Sequence, residues 1–471
     1  MNHRKLSKGE LKPLSDLINE LGFTPFFKGE FTLEGKDPLL RSPHRLGEAV
    51  SYVLGLDAIA AAAVWKYRTN QDNDIHIKME DAIHYLHPTH FIWQNGYKLE
   101  LGAETVPTNS LFKCKDNQFV MIESGTPYRK LEQGYLNFFN CGNNREAIAN
   151  VILNWNSFEL QEKLSELGLP CCIANTQEEW LNHPQGRVLA VTPVIEIEKI
   201  KNGEPYGLSP KAQSPLENIN VLDFTHVLAG PRSTYSLAEF GANVLHVSSP
   251  YHRDTLVQDF AVNAGKTNAY LDLNTTRDAN KMRELLLETD VFANSYRPSV
   301  VEAFQLSAED IAKESTRGII YLSINTYGHK GPWRNRPGFD QLGQVTTGFA
   351  MKEGGTLGPK FSPVFYLTDL ITAYLAVAGV MSALLKRAID GGSYHVKVSL
   401  SRSAMWVQDL GYIQPEKFMQ APEQDDYPVN LFTEESPYGK ITRLAPPTKF
   451  SHMPSIQMKP VVPFGSQDPA W

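Results

Sequence analysis

From residue 219 to residue 325 the chain alternates short apolar runs with amphipathic stretches, and no other feature restricts its fold as much. "INVLDFTHVLAGP" reads as a buried strand entering a Gly-Pro turn, and "STYSLAEFGANVLHVSSP" as a helix followed by a second strand. "TNAYLDL" is a third strand, "RDANKMRELLLETD" a helix, "VFANSYRP" a strand running into a turn, and "GIIYLSINTYG" a further strand. Strands alternating with helices predict an α/β fold, a parallel Rossmann-like sheet covered by helices on both faces. Ligands of such sheets bind in the loops that follow the strands, here residues 226–231, 248–254, 295–298 and 325–331. None of these loops carries G-x-G-x-x-G or G-x-x-x-x-G-K-[ST], which argues against a dehydrogenase or an NTPase.

A second constraint is an internal repeat. Residues 47–82 align without a gap over residues 368–403. Glu48 then falls on Asp369, Leu54 on Leu375, Ala62 on Ala383, Lys66 on Arg387, Ile75 and Ile77 on Val396 and Val398, and Met79 on Leu400. In each copy an acidic residue opens an apolar helix, a basic residue closes it, and a polar turn leads to a strand of period two. Asp369 is the only charged residue between Phe361 and Leu385. A helix so apolar all round belongs in a core. At its mouth Thr368 or Asp369 is expected to cap the first backbone N–H groups, and the helix dipole favours a negative charge there.

The remaining segments differ in character. "FKCKDNQFVMIESG" predicts a hairpin and "SFELQEKLSELGLPCC" an amphipathic helix ending at Gly168 and Pro170, while "VIEIEKIKNGEPYGLSP" predicts a strand entering an Asn-Gly hairpin turn. The expected layout is a first half-repeat (a helical region and a strand) over 1–106, a smaller α+β domain over 107–199 and a linker over 200–218. A Rossmann-like domain with the Asp369 helix follows over 219–419, and a Pro-rich tail without a core of its own over 420–471. A length of 471 residues accommodates such a layout. The net charge of −7 argues against a nucleic-acid partner. No apolar signal core opens the chain and no run of 18 apolar residues follows, so neither export nor a membrane partner is expected. Four cysteines with no Cys-x-x-Cys pair fit a reducing cytoplasm. His84, His87 and His90 are three apart, but Pro88 interrupts the backbone between them, and a solvated loop is expected rather than a metal site.

Taken in order, "NVLDFTHVLAGP", "FGANV", "NAGKTNAYLDL", "DVFANSYRP", "RPGFD" and the Asp-headed helix resemble the family III CoA-transferases, the CaiB–BaiF family, of formyl-CoA transferase and carnitine CoA-transferase type. "ELQEKLSELGLPCCIANTQEEWLNHPQG" is similar to the family's small domain. The resemblance implies an enzyme that moves CoA from an acyl-CoA thioester to a free carboxylic acid, with CoA as substrate and acyl carrier, no metal, and a homodimeric assembly. It implies that Asp369 is the nucleophile, forming first a mixed anhydride and then an aspartyl-CoA thioester. A helix N-terminus is expected to keep that carboxylate ionised. By the same resemblance CoA contacts fall on Val227, Leu228, Ala229, Ser249, Leu271, Asn274, Ser295, Tyr296, Arg297, Asn325 and Tyr327.

The chain also departs from the family. "SYRPS" stands where many members have "NFRPG", and Ser248 and Ser249 replace residues that are commonly charged. The order of the pieces is that of a truncated tandem fusion, with one sheet and one small domain. Two other readings follow: a CoA-binding protein that has lost turnover, and a racemase-like isomerase. Racemases of this fold use a His-Asp pair where this chain has Phe339 and Asp340, and a phenyl ring shuttles no proton. The Gly-rich residues 351–359 are expected to form a flexible loop over the site.

Overall fold

The structure is a computed structural model that describes residues 11–100, 106–125, 128–252, 254–364 and 366–471. The extreme N-terminal stretch, where the absence of a signal core is expected, lies outside them.

The alternation over residues 219–325 becomes a sheet of parallel strands. In spatial order these are Lys266–Tyr270, Asn243–Ser248, Asn220–Phe224, Val291–Asn294 and Ile320–Asn325, continued by Ser393–Ser399 in parallel and Glu196–Lys201 antiparallel at the edge. The alternation of side chains along each strand divides them between two cores. Val221, Ala293 and Leu322 face the core that contains helices Ala229–Glu239 and Leu367–Asp390. Leu222, Phe292 and Tyr321 face the other, against Met282 and Leu285 of helix Thr276–Leu286. The sheet is therefore covered on both faces, as its nearly unbroken apolar strands require.

Glu196–Lys201 corrects one expectation. It forms no hairpin of its own and leaves the small domain to become the edge of the large sheet. Charged side chains guide it there, since Lys397 reaches Glu198 at 2.6 Å and Glu196 at 3.4 Å. Opposite charges on adjacent strands favour that pairing.

The repeat is realised in three dimensions. Helices Leu46–Thr69 and Leu367–Asp390 are both 24 residues long and pack against each other. Each is long and apolar enough to cross a membrane, but their most apolar windows are 94% and 100% buried inside the fold. Each is followed by a strand and a helix, Ile75–Lys78 with Met79–Ala82 and Ser393–Ser399 with Leu400–Asp409. The copies diverge in their sheets. Ser393–Ser399 joins the large sheet, whereas Ile75–Lys78 pairs with Phe31–Glu34 and with Thr448–Phe450 from the C-terminal segment. That segment also forms the hairpin Leu431–Ser436 and Gly439–Leu444, and it buries Ile441, Leu444 and Val461 in the main core.

The small domain is a three-stranded sheet of Asn109–Lys113, Phe119–Glu123 and Cys171–Ile173 under helices Arg129–Phe139, Arg145–Ile152 and Ser157–Glu166. Alternation again decides its contacts. Val120 and Ile122 enter its own core, while Met121 and Cys172 pack on Leu342 and Val345 of helix Asp340–Thr346. That second contact sets the end of strand Phe119–Glu123 beside the start of the second long helix. The cysteines are unpaired, and Cys114, Cys171 and Cys172 are buried.

Lys66 and Arg387 close their helices as the repeat predicts, in different surroundings. Lys66 meets Asp72 at 2.9 Å near the surface. Arg387 is fully buried and pairs with Asp290 at 2.9 Å, donating also to the Gly318 carbonyl. Truncating one member of a buried pair strands the other charge, at a cost of about 3–5 kcal/mol. Arg387→Ala should therefore lower the unfolding free energy from urea titration by that much, whereas Lys66→Ala should change it by less than about 1 kcal/mol.

Candidate functional site

The second long helix begins at Leu367, and Tyr366 at its N-cap supplies no side-chain hydrogen bond. The cap comes from another element. Asp340, first residue of helix Asp340–Thr346, accepts from the Thr368 hydroxyl at 2.7 Å and from the Asp369 N–H at 2.8 Å, both at Oδ2. Gln344 donates to its Oδ1. The expectation that Thr368 or Asp369 caps the helix is thus replaced: Asp340 does so, and the Asp369 carboxyl is left without a hydrogen bond among the described residues.

That carboxyl is 7% exposed and lines a narrow pocket of about 20 Å³, room for roughly one water. Asp340 and Phe339 form one wall, Val227 and Gln258 another, and Glu123, Gly125 and Tyr128 of the small domain a third. One chain therefore supplies every wall described. The Tyr128 and Phe339 rings stack 5.9 Å apart across it.

Three carboxyls share this dry space. Burial, and then the Asp340 carboxylate, push the Asp369 carboxyl well above the usual carboxylate range. Burial raises Asp340 to about 6, although hydrogen bonds from Asp369, Thr368 and Gln344 oppose the rise. Glu123 is also driven upward, by burial and by Asp340 and Asp369, and its Oε2 has no hydrogen bond among the described residues. The bonds that Asp340 accepts favour its charged form, whereas Asp369 has none to oppose its rise. Desolvation and a like charge thus oppose the helix dipole that is expected to keep Asp369 ionised.

The turn after strand Asn220–Phe224 reaches the same pocket. Val227 has φ +68°, a conformation that L side chains seldom adopt, and its N–H donates to Asp254 Oδ2 at 2.8 Å. Leu228 is buried and starts helix Ala229–Glu239, and Gly230 is obligatory there because a Cβ would lie 2.5 Å from Thr225. The His226 N–H donates to Ser295 Oγ at 3.0 Å, and its ring stacks on Tyr296 with centroids 4.4 Å apart. The Tyr128 hydroxyl bonds His226 Nδ1. Burial lowers His226, which favours its neutral ring. These contacts join the loops after Asn220–Phe224 and Val291–Asn294, adjacent strands at which the sheet order reverses, the usual crevice of such folds.

The other expected contact residues are more dispersed. Ser249 Oγ accepts from the Tyr251 N–H, Leu271 is buried, and Asn274 donates to Asp272 at 2.9 Å. These three follow the ends of neighbouring strands. Arg297 is exposed at the start of helix Pro298–Ala303. Asn325 closes a turn on Gly328, and Tyr327 is buried against Trp333 with its carbonyl held by Gln185. Neither lines the Asp369 pocket.

Three further expectations concern other places. Glu48 sits apart from the Asp369 pocket: it pairs with Arg45 at 3.0 Å, and Asp37 Oδ2 accepts its N–H at 2.8 Å. Residues Phe349–Gly354 and Gly355–Leu357 are helical rather than a loop, with Glu353 bound to Ser42 and to His44. His87 and His90 stack 5.2 Å apart and His90 meets Asp425, and no metal-holding group of three or more ligands occurs among the described residues.

Glu123, Tyr128 and Gln258 were absent from the expected site, while His226 lies in the expected loop 226–231 without having been named as a contact. Of the first three, Glu123 left a trace in the sequence, as an acid ending the apolar strand Phe119–Glu123. Asp340 was visible in "RPGFD", but not as the residue that caps the helix.

Residues 216–435 match CoA-transferase family III. An acetyl-coenzyme A transferase of Hypoxylon pulicicidum is 36% identical over 227 residues, 47% of this chain and 38% of the relative. The succinyl-CoA:glutarate CoA-transferase of Homo sapiens is 30% identical over 201 residues, 40% of this chain and 46% of the relative. The acetyl-CoA:oxalate CoA-transferase of Acetobacter aceti is 31% identical over 203 residues, 40% of this chain and 52% of the relative. The chain spans about half the length, or less, of these relatives.

A carboxyl raised on folding stabilises the native state below its unfolded pKa, and that contribution is lost as pH rises through the folded value. Asn cannot ionise. Asp369→Asn should therefore match the wild type in thermal unfolding at acid pH and become the more stable protein as pH rises beyond the ordinary carboxylate range of about 4. A wild type that gains on Asp369→Asn with rising pH would show that Asp369 is held ionised.

Proposed function

We propose that this chain, which belongs through residues 216–435 to CoA-transferase family III, moves CoA between an acyl-CoA thioester and a free carboxylic acid. The observation that carries the reading is Asp369, a buried carboxyl relieved of capping by Asp340 and set in one pocket with the turn at Val227.

Each step balances without ATP. The Asp369 carboxylate attacks the thioester carbonyl, the C–S bond breaks, and CoA leaves as thiolate from a mixed anhydride. The thiolate attacks the Asp369 carbonyl carbon, the anhydride C–O bond breaks, and the donor acid leaves. An acceptor carboxylate then attacks the aspartyl thioester, and the released thiolate attacks the acceptor acyl carbon, restoring Asp369. A carboxylate suits this double role because it leaves an anhydride readily. Its raised proton affinity makes it a better nucleophile once ionised.

The first turns of helix Ala229–Glu239 offer backbone N–H groups for the pyrophosphate, and exposed Arg297 offers charge. The Val227 N–H is committed to Asp254 and makes no such contact in this form. A racemase reading lacks support, since Phe339 occupies the position of the base.

Asp369→Asn should fold and lose transfer from acetyl-CoA or succinyl-CoA to free acids by several orders of magnitude. In the wild type, hydroxylamine added during turnover should trap the activated carboxyl as a hydroxamate on the Asp369 peptide. A folded Asp369→Asn protein with near wild-type transfer would overturn the assignment. Incubation in deuterium oxide should give no α-deuterium in recovered acyl-CoA, and wash-in would favour the isomerase.

A further inference from the structure

A second cavity, of about 840 Å³, lies between helix Ala229–Glu239, the first long helix and the C-terminal segment. It is apart from the Asp369 pocket and shares none of its lining residues. Its walls are largely apolar, with Leu54, Phe240, Phe432, Phe450, Met453 and Met458. Its volume is that of a small-molecule site.

The polar end is built from buried groups. Arg232 and Asp57 are each 3% exposed. The Arg232 guanidinium lies 4.3 Å from the Tyr235 ring, 5.2 Å from Tyr85 and 5.4 Å from Tyr374, and its Nη2 meets Glu239 at 3.2 Å. Its Nε has no hydrogen bond among the described residues, and neither does Asp57 Oδ1. Arg443 shows what a completed partner looks like here, since its Nε donates to Glu434 at 3.0 Å and its Nη1 to the Tyr235 hydroxyl. Buried polar atoms are nearly always paired, so two unpaired ones on residues that line the same cavity indicate what an occupant must bring.

From this geometry we infer that the cavity binds a carboxylic acid with an apolar body, its carboxyl seated between Arg232 and Asp57. One ligand oxygen accepts from the Arg232 Nε–H, and the other shares a single proton with Asp57 Oδ1. The apolar walls take the hydrocarbon. Burial holds Asp57 well above the usual carboxylate range, which supplies that proton. A primary alcohol can bridge both groups but brings no negative charge to the Arg232 guanidinium, and a quaternary ammonium ion would face Arg232 with like charge. The inference stands independently of the transfer chemistry proposed for Asp369.

Isothermal titration calorimetry of the full chain, without any CoA compound, tests it with decanoate and decan-1-ol as probes. Decanoate should bind one to one, and decan-1-ol about tenfold more weakly or worse. Arg232→Gln should weaken decanoate by about tenfold or more. Because Arg232 is buried, Ser455→Trp provides a second variant, placing an indole at an exposed position of the lining; it should also abolish binding in a folded protein. Asp369→Asn should leave the affinity unchanged, which separates this site from the acceptor acid of the proposed reaction. No saturable decanoate binding by the wild type, equal affinity for decan-1-ol, binding unaffected by Ser455→Trp, or loss in Asp369→Asn would each overturn the inference.

Discussion

The Asp340 carboxylate is the constraint on which the site depends. Buried at the start of its own short helix, it accepts from Thr368 and Asp369 and so caps the start of another helix. Burying an anion is costly unless donors surround it, and here those donors are the unsatisfied groups of a helix mouth. The exchange has a second effect. Because capping is done from outside, the Asp369 side chain has no structural task, and a carboxyl without one is available for chemistry. Burial, and then the same anion, push the Asp369 carboxyl upward.

The repeat shows the device twice. Asp37 accepts from the N–H groups of Gly47 and Glu48 as Asp340 does from Asp369, and each follows a glycine by two residues, Gly35 and Gly338. The outcomes differ through what covers them. Glu48 is neutralised by Arg45, whereas Asp369 is enclosed by the small domain and by the turn at Val227. A helix cap is thus the shared inheritance of both copies, and the reactive environment belongs to the second alone.

How far this was legible in the sequence depended on whether a contact is local. The strands between 219 and 325 and the two long helices announce themselves by period, because alternation and helical repeat are properties of adjacent residues. Glu196–Lys201 was placed wrongly since its partner, Ser393–Ser399, lies almost two hundred residues away and its Asn-Gly sequence suggested a local turn. The pairing of Thr448–Phe450 with Ile75–Lys78 was hidden for the same reason. At the site, Asp369 and Val227 were named from motifs, but Glu123 and Tyr128 depend on how one domain docks on another. The upward push on the Asp369 carboxyl was not legible because a dipole can be read from a helix start, whereas burial beside Asp340 cannot.

A pocket of about 20 Å³ is too small for an acyl group, so the described arrangement is a closed one. What closes it is mainly the small domain, through Tyr128 over Phe339 and through Glu123. That domain has its own core and docks through Met121 and Cys172 against Leu342 and Val345, the Tyr128–His226 bond and the Arg336–Glu162 pair, which opening would have to release. Opening would also bring water to Asp369, and hydration removes much of the penalty that keeps its proton on. In the proposed mechanism access and ionisation are linked, since the opening that admits a substrate also favours the charged form of Asp369. Refilling the pocket with substrate then excludes water again and strengthens every charge interaction around the reacting carbonyl.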